Sequence, residues 1–277
     1  MKRLTTSIII ALLATAGNAQ NTNANDSIAL RLECPHLSSD TLYSVYGELS
    51  TDDYGITYAY EFDLSKRANR WVCYQMHNGN RAHNTWRYNR WYEDTDINAT
   101  YRITMEDYYD INMDKGHLCA SQDRVCNMEQ NKQTFLLGTN SHPQYNKHNV
   151  TVWAAIENWI VNKLNYLSFR DTLYVVKAAT IDDDHIGGYT RRTKLIIPAY
   201  WYAALLCVKD STYKAIGVLT EHTNARITGA NPYNYCVSID SLETLTGLDF
   251  FCNLPDSIEE AVQAECAPED WLLSADD

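Results

Sequence analysis

The N-terminal part of the chain shows two successive patterns of apolar and polar positions. After the basic pair Lys2 and Arg3, residues 7–16 form an almost continuous apolar run, and small residues occupy positions 17–19. This order is typical of a signal peptide over residues 1–19, because the apolar run is too short to span a bilayer. Residues 20–40 are mostly polar and contain no Phe, Trp or Tyr, which predicts a flexible leader.

Alternating and continuous apolar segments further along the chain predict a sheet. The first two segments alternate and are rich in Tyr and Trp, as in the strands of a hairpin. Two of the later segments are nearly continuous apolar runs, which indicates a sheet buried on both faces. A chain of 277 residues with 45% hydrophobic residues has room for one large domain, which we place at residues 41–277. The predicted strands are residues 56–64, 71–76, 171–180, 194–208 and 213–220.

Apolar residues at steps of three and four predict a helix that begins at Asn149, which takes the N-cap position. Glu157 lies eight residues later on nearly the same face, so one helix can direct both polar side chains toward one site. Shorter helices are predicted at residues 241–246, ending before Gly247, and at residues 256–265. The apolar positions of the first helix are Val150, Trp153, Ala154, Ile156 and Ile160.

A polar stretch around His117 carries residues suited to acid–base chemistry. His117 follows Gly116, with Asp114 and Lys115 just upstream. An imidazole can take a proton near neutral pH, which suits a general base. The glycine has no Cβ, so a bulky substrate can approach the backbone. The carbonyl oxygen of Asn149 suits a hard cation such as Mg²⁺, with water and substrate oxygens as the other ligands.

Taken alone, each of these residues has an ordinary structural interpretation. A histidine after a glycine is typical of a turn, Asn149 of a helix cap, and Glu157 of a solvated helix face. Their combination favours a functional site.

The combination resembles the DNA/RNA non-specific endonuclease family, the ββα-metal nucleases that include endonuclease G. The family's Asp-Arg-Gly-His signature stands here as Asp114-Lys115-Gly116-His117. The resemblance covers roughly residues 55–265. Its other matching segments are residues 135–144, then Asn149, Trp153 and Glu157, and finally residues 237–248 and 254–256.

This resemblance implies an α+β fold with a central, mostly antiparallel sheet, a ββα-metal (His-Me finger) motif and flanking helices. It implies that His117 is the general base, that Asn149 binds Mg²⁺ directly, with Mn²⁺ as the alternative, and that Glu157 holds metal-bound waters. It also implies an upstream catalytic arginine, for which Arg87 is the best match and Arg90 the second.

The chain departs from the family pattern at three positions. Lys115 replaces the signature arginine and keeps the charge, but it loses the two-pronged grip on phosphate. Val161 occupies the position four after Glu157, where the family often has a basic residue. The family also favours Pro-Ser-x-x-Trp/Tyr-Lys near the centre of the chain, whereas this chain reads Pro198-Ala-Tyr-Trp-Tyr202. Each change removes a cation or a contact from the expected substrate side, so weakened catalysis is an alternative.

Net charge conflicts with nucleic-acid binding unless the cations are concentrated locally. The formal charge is −12, and cleavage of a signal peptide with Lys2 and Arg3 would make it more acidic. We expect modest affinity for nucleic acid that falls steeply with salt, and a cleavage rate insensitive to salt would contradict this. The cations proposed for a local patch are Arg81, Arg87, Arg90, Lys115, Arg124 and Lys147.

Three further features each have two interpretations. Residues 77–96 are rich in Asn, Arg, Trp and Tyr and suit either a nucleic-acid face or a polar loop. Residues 181–188 contain three aspartates and His185, which suit either a metal site or, as we favour, a solvated turn. Eight cysteines in an exported chain permit disulfides, and a bridge between Cys119 and Cys126 would stiffen the site.

The leading hypothesis is a secreted or periplasmic, metal-dependent endonuclease acting on DNA and RNA with little sequence specificity, leaving 5′-phosphate ends. The candidate site residues are Arg87, Lys115, His117, Asn149 and Glu157. One alternative is a catalytically weakened binding protein with a nuclease fold, and another is an exported phosphodiesterase acting on small phosphate esters. The partner of the proposed endonuclease would be nucleic acid rather than a membrane.

Overall fold

A computed structural model describes residues 28, 30–109 and 112–276. The predicted signal peptide and part of the predicted leader lie outside these residues. Within them, no helix has both the length and the apolarity needed to cross a membrane. In chain order the strands are β1 Ser44–Thr51, β2 Gly55–Asp63, β3 Ala68–His77, β4 Tyr92–Glu93, β5 Asp114–His117, β6 Leu136–Leu137, β7 Ser141–Gln144, β8 Thr172–Ala179, β9 Ile186–Tyr189, β10 Ile196–Pro198, β11 Tyr200–Lys209, β12 Thr212–Glu221 and β13 Cys236–Val237.

Seven of these strands form one sheet in the order β1-β2-β3-β8-β11-β12-β13. Every neighbouring pair in this sheet is antiparallel. The predicted strands at residues 56–64, 71–76, 171–180 and 213–220 are confirmed as β2, β3, β8 and β12. The segment at 194–208 divides into β10 and β11, because Pro198 ends the first strand.

The sheet is covered on both faces, which explains its continuous apolar strands. One face carries Val175 and Leu205 and packs against Trp153 and Ile156. The opposite face carries Val176 and Leu206 and packs against a C-terminal layer, which includes Phe250. Since neighbouring residues of a strand point to opposite faces, both sets must be apolar. The fold is α+β, as the resemblance implied.

Within the described residues, four longer helices accompany the sheet. We label them α1 Met128–Gln133, α2 at residues 146–164, α3 Ile239–Thr246 and α4 Asp256–Gln263. Helix α2 contains two wide π turns, Asn149–Trp153 and Ile160–Leu164, in which the backbone ladder is stretched. Gly247 follows α3 with a φ of 66°, the left-handed conformation that favours glycine at a helix end. Short 3₁₀ helices occur at Asn78–Asn80, Met105–Tyr108, Ser121–Asp123, Asp183–His185, Pro232–Tyr235 and Pro268–Trp271.

Strands β5 and β7 and helix α2 form the predicted ββα unit. The two strands pair antiparallel, with Asp114 opposite Gln144 and His117 opposite Ser141. Gly116 lies against the sheet, where an added Cβ would come within 2.5 Å of the Trp201 ring and 2.7 Å of the Gln144 Cβ. The glycine is therefore required by close packing behind β5, rather than by the approach of substrate in front of it.

The described part of the predicted leader is held against the sheet. Ile28 and Cys34 are fully buried in the apolar layer. The Arg31 guanidinium donates to Glu33 at 2.7 Å and to Glu48 on β1 at 2.6 Å. These contacts fix the chain ahead of β1. The domain boundary at residue 41 and the signal peptide stay predictions.

The possible bridge between Cys119 and Cys126 is not formed, and residues 181–188 form the solvated turn that we favoured. Cys119 and Cys126 are separate buried thiols, and the described residues contain no disulfide. Residues 181–188 form a 3₁₀ turn followed by β9, which confirms the solvated turn. Lys66 contacts this turn, with its Nζ 3.3 Å from Asp183 Oδ1. No cluster of three or more His, Cys, Asp or Glu side chains among the described residues could hold a metal ion.

Replacing Gly116 with alanine should lower the melting temperature by about 5 °C, because overpacking at a rigid position costs roughly 1–3 kcal/mol. Thermal unfolding followed by circular dichroism measures the shift. Gly79→Ala is the matched control, since its added Cβ would meet only the half-buried His77 side chain, at 3.0 Å. Equal melting temperatures for the two variants would contradict the close packing behind β5.

Candidate functional site

His117 ends strand β5 between two aromatic side chains. Its ring centroid lies 4.4 Å from that of Trp91 and 4.9 Å from that of Phe135. The Nε2 atom is buried and has no hydrogen-bond partner. A buried polar atom without a partner costs free energy, so it marks a position where a ligand can supply the missing contact.

The surroundings of His117 keep its imidazole neutral. Burial lowers the pKa of His117 well below its ordinary value, and the positive charges of Arg87 and Lys177 lower it further. A neutral imidazole has a free lone pair, which is the form required of a general base. The neutral charge state and the unpartnered Nε2 atom therefore both suit His117 to the role of a general base.

Arg87 lies beside His117, as the resemblance implied for the upstream arginine. Its Nη1 donates to Ser121 Oγ at 2.9 Å, and its guanidinium stacks 5.1 Å from the Phe135 ring centroid. Phe135 thus contacts both the histidine and the arginine. Although the residue as a whole is exposed, partial burial of its guanidinium lowers the pKa of Arg87, whereas the carboxylate of Glu157 raises it.

Asn149 is attached to strand β5 through Asp114. Its Nδ2 donates to Asp114 Oδ2 at 2.8 Å, and Asn146 donates to the same oxygen at 3.0 Å. The predicted N-cap role is wrong, because Asn149 is already helical and its backbone N–H bonds Tyr145. The helix begins three residues earlier, so the side chain is not needed as a cap. With its amide nitrogen bound to Asp114, the Asn149 carbonyl oxygen can accept a ligand.

Glu157 lies in the middle of α2 and approaches the sheet. Its Oε1 is 3.7 Å from Lys177 Nζ, an ion pair too long for a hydrogen bond, and Oε1 has no hydrogen-bond partner. Burial raises the pKa of Glu157 to about 7, although the nearby Lys177 lowers it. A second buried polar atom is therefore available for a ligand.

Lys177, on strand β8, joins the site and was missed by sequence reasoning. It is fully buried, with Nζ 3.2 Å from Asp123 Oδ2, and Tyr74 donates to the same carboxylate oxygen at 2.6 Å. Burial lowers the pKa of Lys177, but the carboxylates of Asp123 and Glu157 outweigh it and raise the pKa. A lysine inside an apolar strand was the signal that could have revealed this ion pair, since a buried cation requires carboxylate partners.

Lys115 shares strand β5 with His117, two residues away and so on the same side of the strand. Its Nζ lies 5.0 Å from the Tyr108 ring centroid, a cation–π contact. Burial lowers the pKa of Lys115, and Asp114 opposes this shift. Whether the ammonium contacts a phosphate stays a prediction.

The polar residues at 139–144 support the site rather than line it. Asn140 accepts from the Cys119 backbone N–H at 2.7 Å and donates back to the Cys119 carbonyl at 2.9 Å. Thr139 donates to Asp94 at 2.7 Å, and His142 bonds the Asn69 carbonyl at 2.9 Å. The two Asn140 bonds hold the chain just after His117.

One member of the predicted cation patch does not belong to it. Arg124 is buried and donates to the backbone carbonyls of Thr57, Asp123 and Gln75. Its guanidinium N–H groups are therefore engaged with backbone carbonyls inside the domain and do not face solvent. Lys115 is half-buried, and the exposed members are Arg81, Arg87, Arg90 and Lys147.

The residues present fit a hard divalent cation. The unbonded oxygens of Asn149 and Glu157 are of the type that Mg²⁺ prefers, and no thiol or imidazole competes in that set. The unpartnered Glu157 Oε1 is the structural observation that supports the fit.

Comparison with known proteins gives a consistent result. A model of the family described as DNA/RNA non-specific endonuclease matches residues 38–257. A nuclease from Nostoc sp. (strain PCC 7120 / SAG 25.82 / UTEX 2576) is 28% identical over 232 residues, which are 79% of this chain and 80% of that protein. A nuclease from Syncephalastrum racemosum is 26% identical over 182 residues, covering 60% of this chain and 55% of its own length.

The fold is also shared with a solved structure. A chain in the crystal structure of the EndoG/EndoGI complex superposes with a TM-score of 0.64 at 19% identity, covering 78% of this chain and 88% of that chain. At this identity the likeness shows a common architecture.

Glu157→Gln should raise the melting temperature by about 5 °C at about pH 8, in the presence of a chelator, and change it little near pH 4.5. The unfolded carboxyl ionises near pH 4.5, whereas the folded one resists ionisation until about pH 7. Stability is therefore lost as pH rises through this window, and glutamine avoids the loss. Glu260→Gln, at an exposed position, is the control. A gain independent of pH would show that ionisation is not its cause.

Proposed function

Since the chain belongs to the DNA/RNA non-specific endonuclease family, we propose that it hydrolyses phosphodiester bonds of DNA and RNA with little sequence specificity. The observation that carries this proposal is the buried, unpartnered Nε2 of a neutral His117 beside the Arg87 guanidinium. A proton acceptor and a fixed cation next to each other are what hydrolysis of an anionic ester requires.

In the proposed reaction His117 takes a proton from the attacking water through its free ring nitrogen. Trp91 and Phe135 fix the ring plane, so the lone pair has one direction. Arg87, held by Ser121, directs its positive charge toward the phosphate, where negative charge increases in the transition state. Lys115 would add a second cation on the same side of β5. The products would carry 5′-phosphates.

A divalent cation would complete this site. The Asn149 carbonyl oxygen would hold Mg²⁺, or Mn²⁺ in its place, and Glu157 would accept hydrogen bonds from the ion's water ligands. When bound, the ion supplies positive charge against the scissile phosphate and the departing 3′ oxygen. Asp114 orients the Asn149 amide, so that its oxygen is presented and its nitrogen is not.

Export follows from the signal peptide predicted at residues 1–19. We infer that the enzyme is secreted or periplasmic and meets nucleic acid outside the cytoplasm. A catalytically weakened nucleic-acid-binding protein is the second candidate, favoured by Lys115, whose ammonium already faces the Tyr108 ring.

His117→Ala should lower the rate of plasmid DNA and RNA digestion by at least about 10²–10⁴-fold, the usual contribution of a general base. Asn149→Ala and a chelator should each abolish digestion, because both remove the metal. Gel electrophoresis measures the loss, and circular dichroism checks folding. His36→Ala, an exposed histidine, is the control. Digestion by His117→Ala at the normal rate would disprove the mechanism, and an inactive wild-type protein would favour the weakened binding protein.

A further inference from the structure

A cavity of about 800 Å³ adjoins the site, and most of its lining residues take no part in the chemistry proposed above. Arg87, Ser121 and Asp123 line it, and each contacts or neighbours a residue of the site. Arg81 and Tyr166 line it as well, although neither belongs to the ββα unit. The cavity therefore connects the cleavage position to side chains supplied by other parts of the fold.

The lining of this cavity is cationic in an acidic protein. Arg81 and Arg87 both contribute guanidinium groups, and both are exposed. The one carboxylate in the lining is Asp123, which is paired with the buried Lys177 at 3.2 Å. The cavity thus concentrates positive charge in a chain whose formal charge is −12. A local positive field of this kind attracts a polyanion, whatever the net charge.

An arginine and an aromatic ring are stacked at the same cavity. The Arg81 guanidinium carbon lies 4.1 Å from the Tyr166 ring centroid, and the tyrosine is 42% exposed. Nucleobases stack on aromatic rings and on guanidinium planes, and such contacts tolerate any base. The Asn78 and Asn162 side chains in the lining can donate to and accept from base edges.

We propose that this cavity is a nucleotide subsite that holds one unpaired strand beside the scissile phosphate. Arg81 would bind a flanking phosphate or stack on a base, and Tyr166 would provide the platform beneath it. The cavity has room for a nucleotide, and a base can stack on Arg81 only when one of its faces is free of a duplex neighbour. The preferred substrate is therefore single-stranded or locally opened nucleic acid. This inference rests on the proposed nuclease function.

A steady-state comparison of two substrates tests the subsite. One is a single-stranded oligonucleotide of about twelve nucleotides, which extends past the cleavage position, and the other is bis(4-nitrophenyl) phosphate, which does not. Arg81→Ala and Tyr166→Leu should raise KM for the oligonucleotide about tenfold and leave kcat within about twofold. Neither should change hydrolysis of the small diester.

Matched variants separate the subsite from general effects. Tyr166→Phe keeps the ring and should behave as wild type. Arg191→Ala removes the same charge from an exposed position outside the cavity and should leave KM unchanged. Equal effects of Arg81→Ala and Arg191→Ala would overturn the proposal in favour of bulk electrostatics. Equal losses on both substrates would overturn it in favour of a structural role.

Binding measurements keep this test independent of the proposed function. Fluorescence anisotropy of the labelled oligonucleotide is measured with His117→Ala protein, with and without Arg81→Ala or Arg191→Ala. An inactive wild-type protein would contradict the nuclease function. The subsite would still be supported if Arg81→Ala, but not Arg191→Ala, weakened oligonucleotide binding about tenfold. Unchanged binding, or tighter binding of duplex than of single strand, would overturn the subsite whether or not the enzyme is active.

Discussion

The ammonium of Lys177 between two carboxylates is the interaction on which the site depends. Moving a lysine into a sheet interior costs several kcal/mol, and only close carboxylates can offset this. Asp123, in the 3₁₀ turn just after His117, is the nearer at 3.2 Å, and Glu157, in helix α2, lies 3.7 Å away and offsets less, because burial raises its own pKa to about 7. One buried cation therefore joins the central sheet to the turn that follows β5 and to helix α2. Tyr74 adds a hydrogen bond from strand β3.

Sequence patterns anticipated most of the sheet from local information, whereas the ββα unit was expected from the family resemblance. Alternation along β2 and β3 and continuous burial along β8 and β11 follow directly from two-residue periodicity. The spacing of His117, Asn149 and Glu157 likewise needs no tertiary knowledge. Ion pairs between residues distant in the sequence could not be predicted, since periodicity carries no information about which carboxylate contacts Lys177.

The errors have the same physical origin. Asparagine is a residue type that favours helix caps. The Asn149 amide instead donates to Asp114, and the helix begins one turn earlier. Arg124 appeared to be a surface cation, yet three backbone carbonyls bind it inside the domain. Cys119 and Cys126 flank the site without meeting. For Asn149 and Arg124 a partner elsewhere in the fold decided the outcome, and local propensity could not outweigh it.

Burial shifts the pKa values of His117 and Glu157 in opposite directions, and both shifts favour the proposed reaction. Loss of solvent disfavours charge on both, so the pKa of His117 falls and that of Glu157 rises to about 7. Lys177 then moves both downward, which keeps the imidazole neutral and partly restores the carboxylate. The histidine is thus ready to accept a proton, while the glutamate lacks only one further positive charge to ionise fully. A divalent cation near Asn149 would provide that charge, so metal binding and ionisation of Glu157 should favour each other.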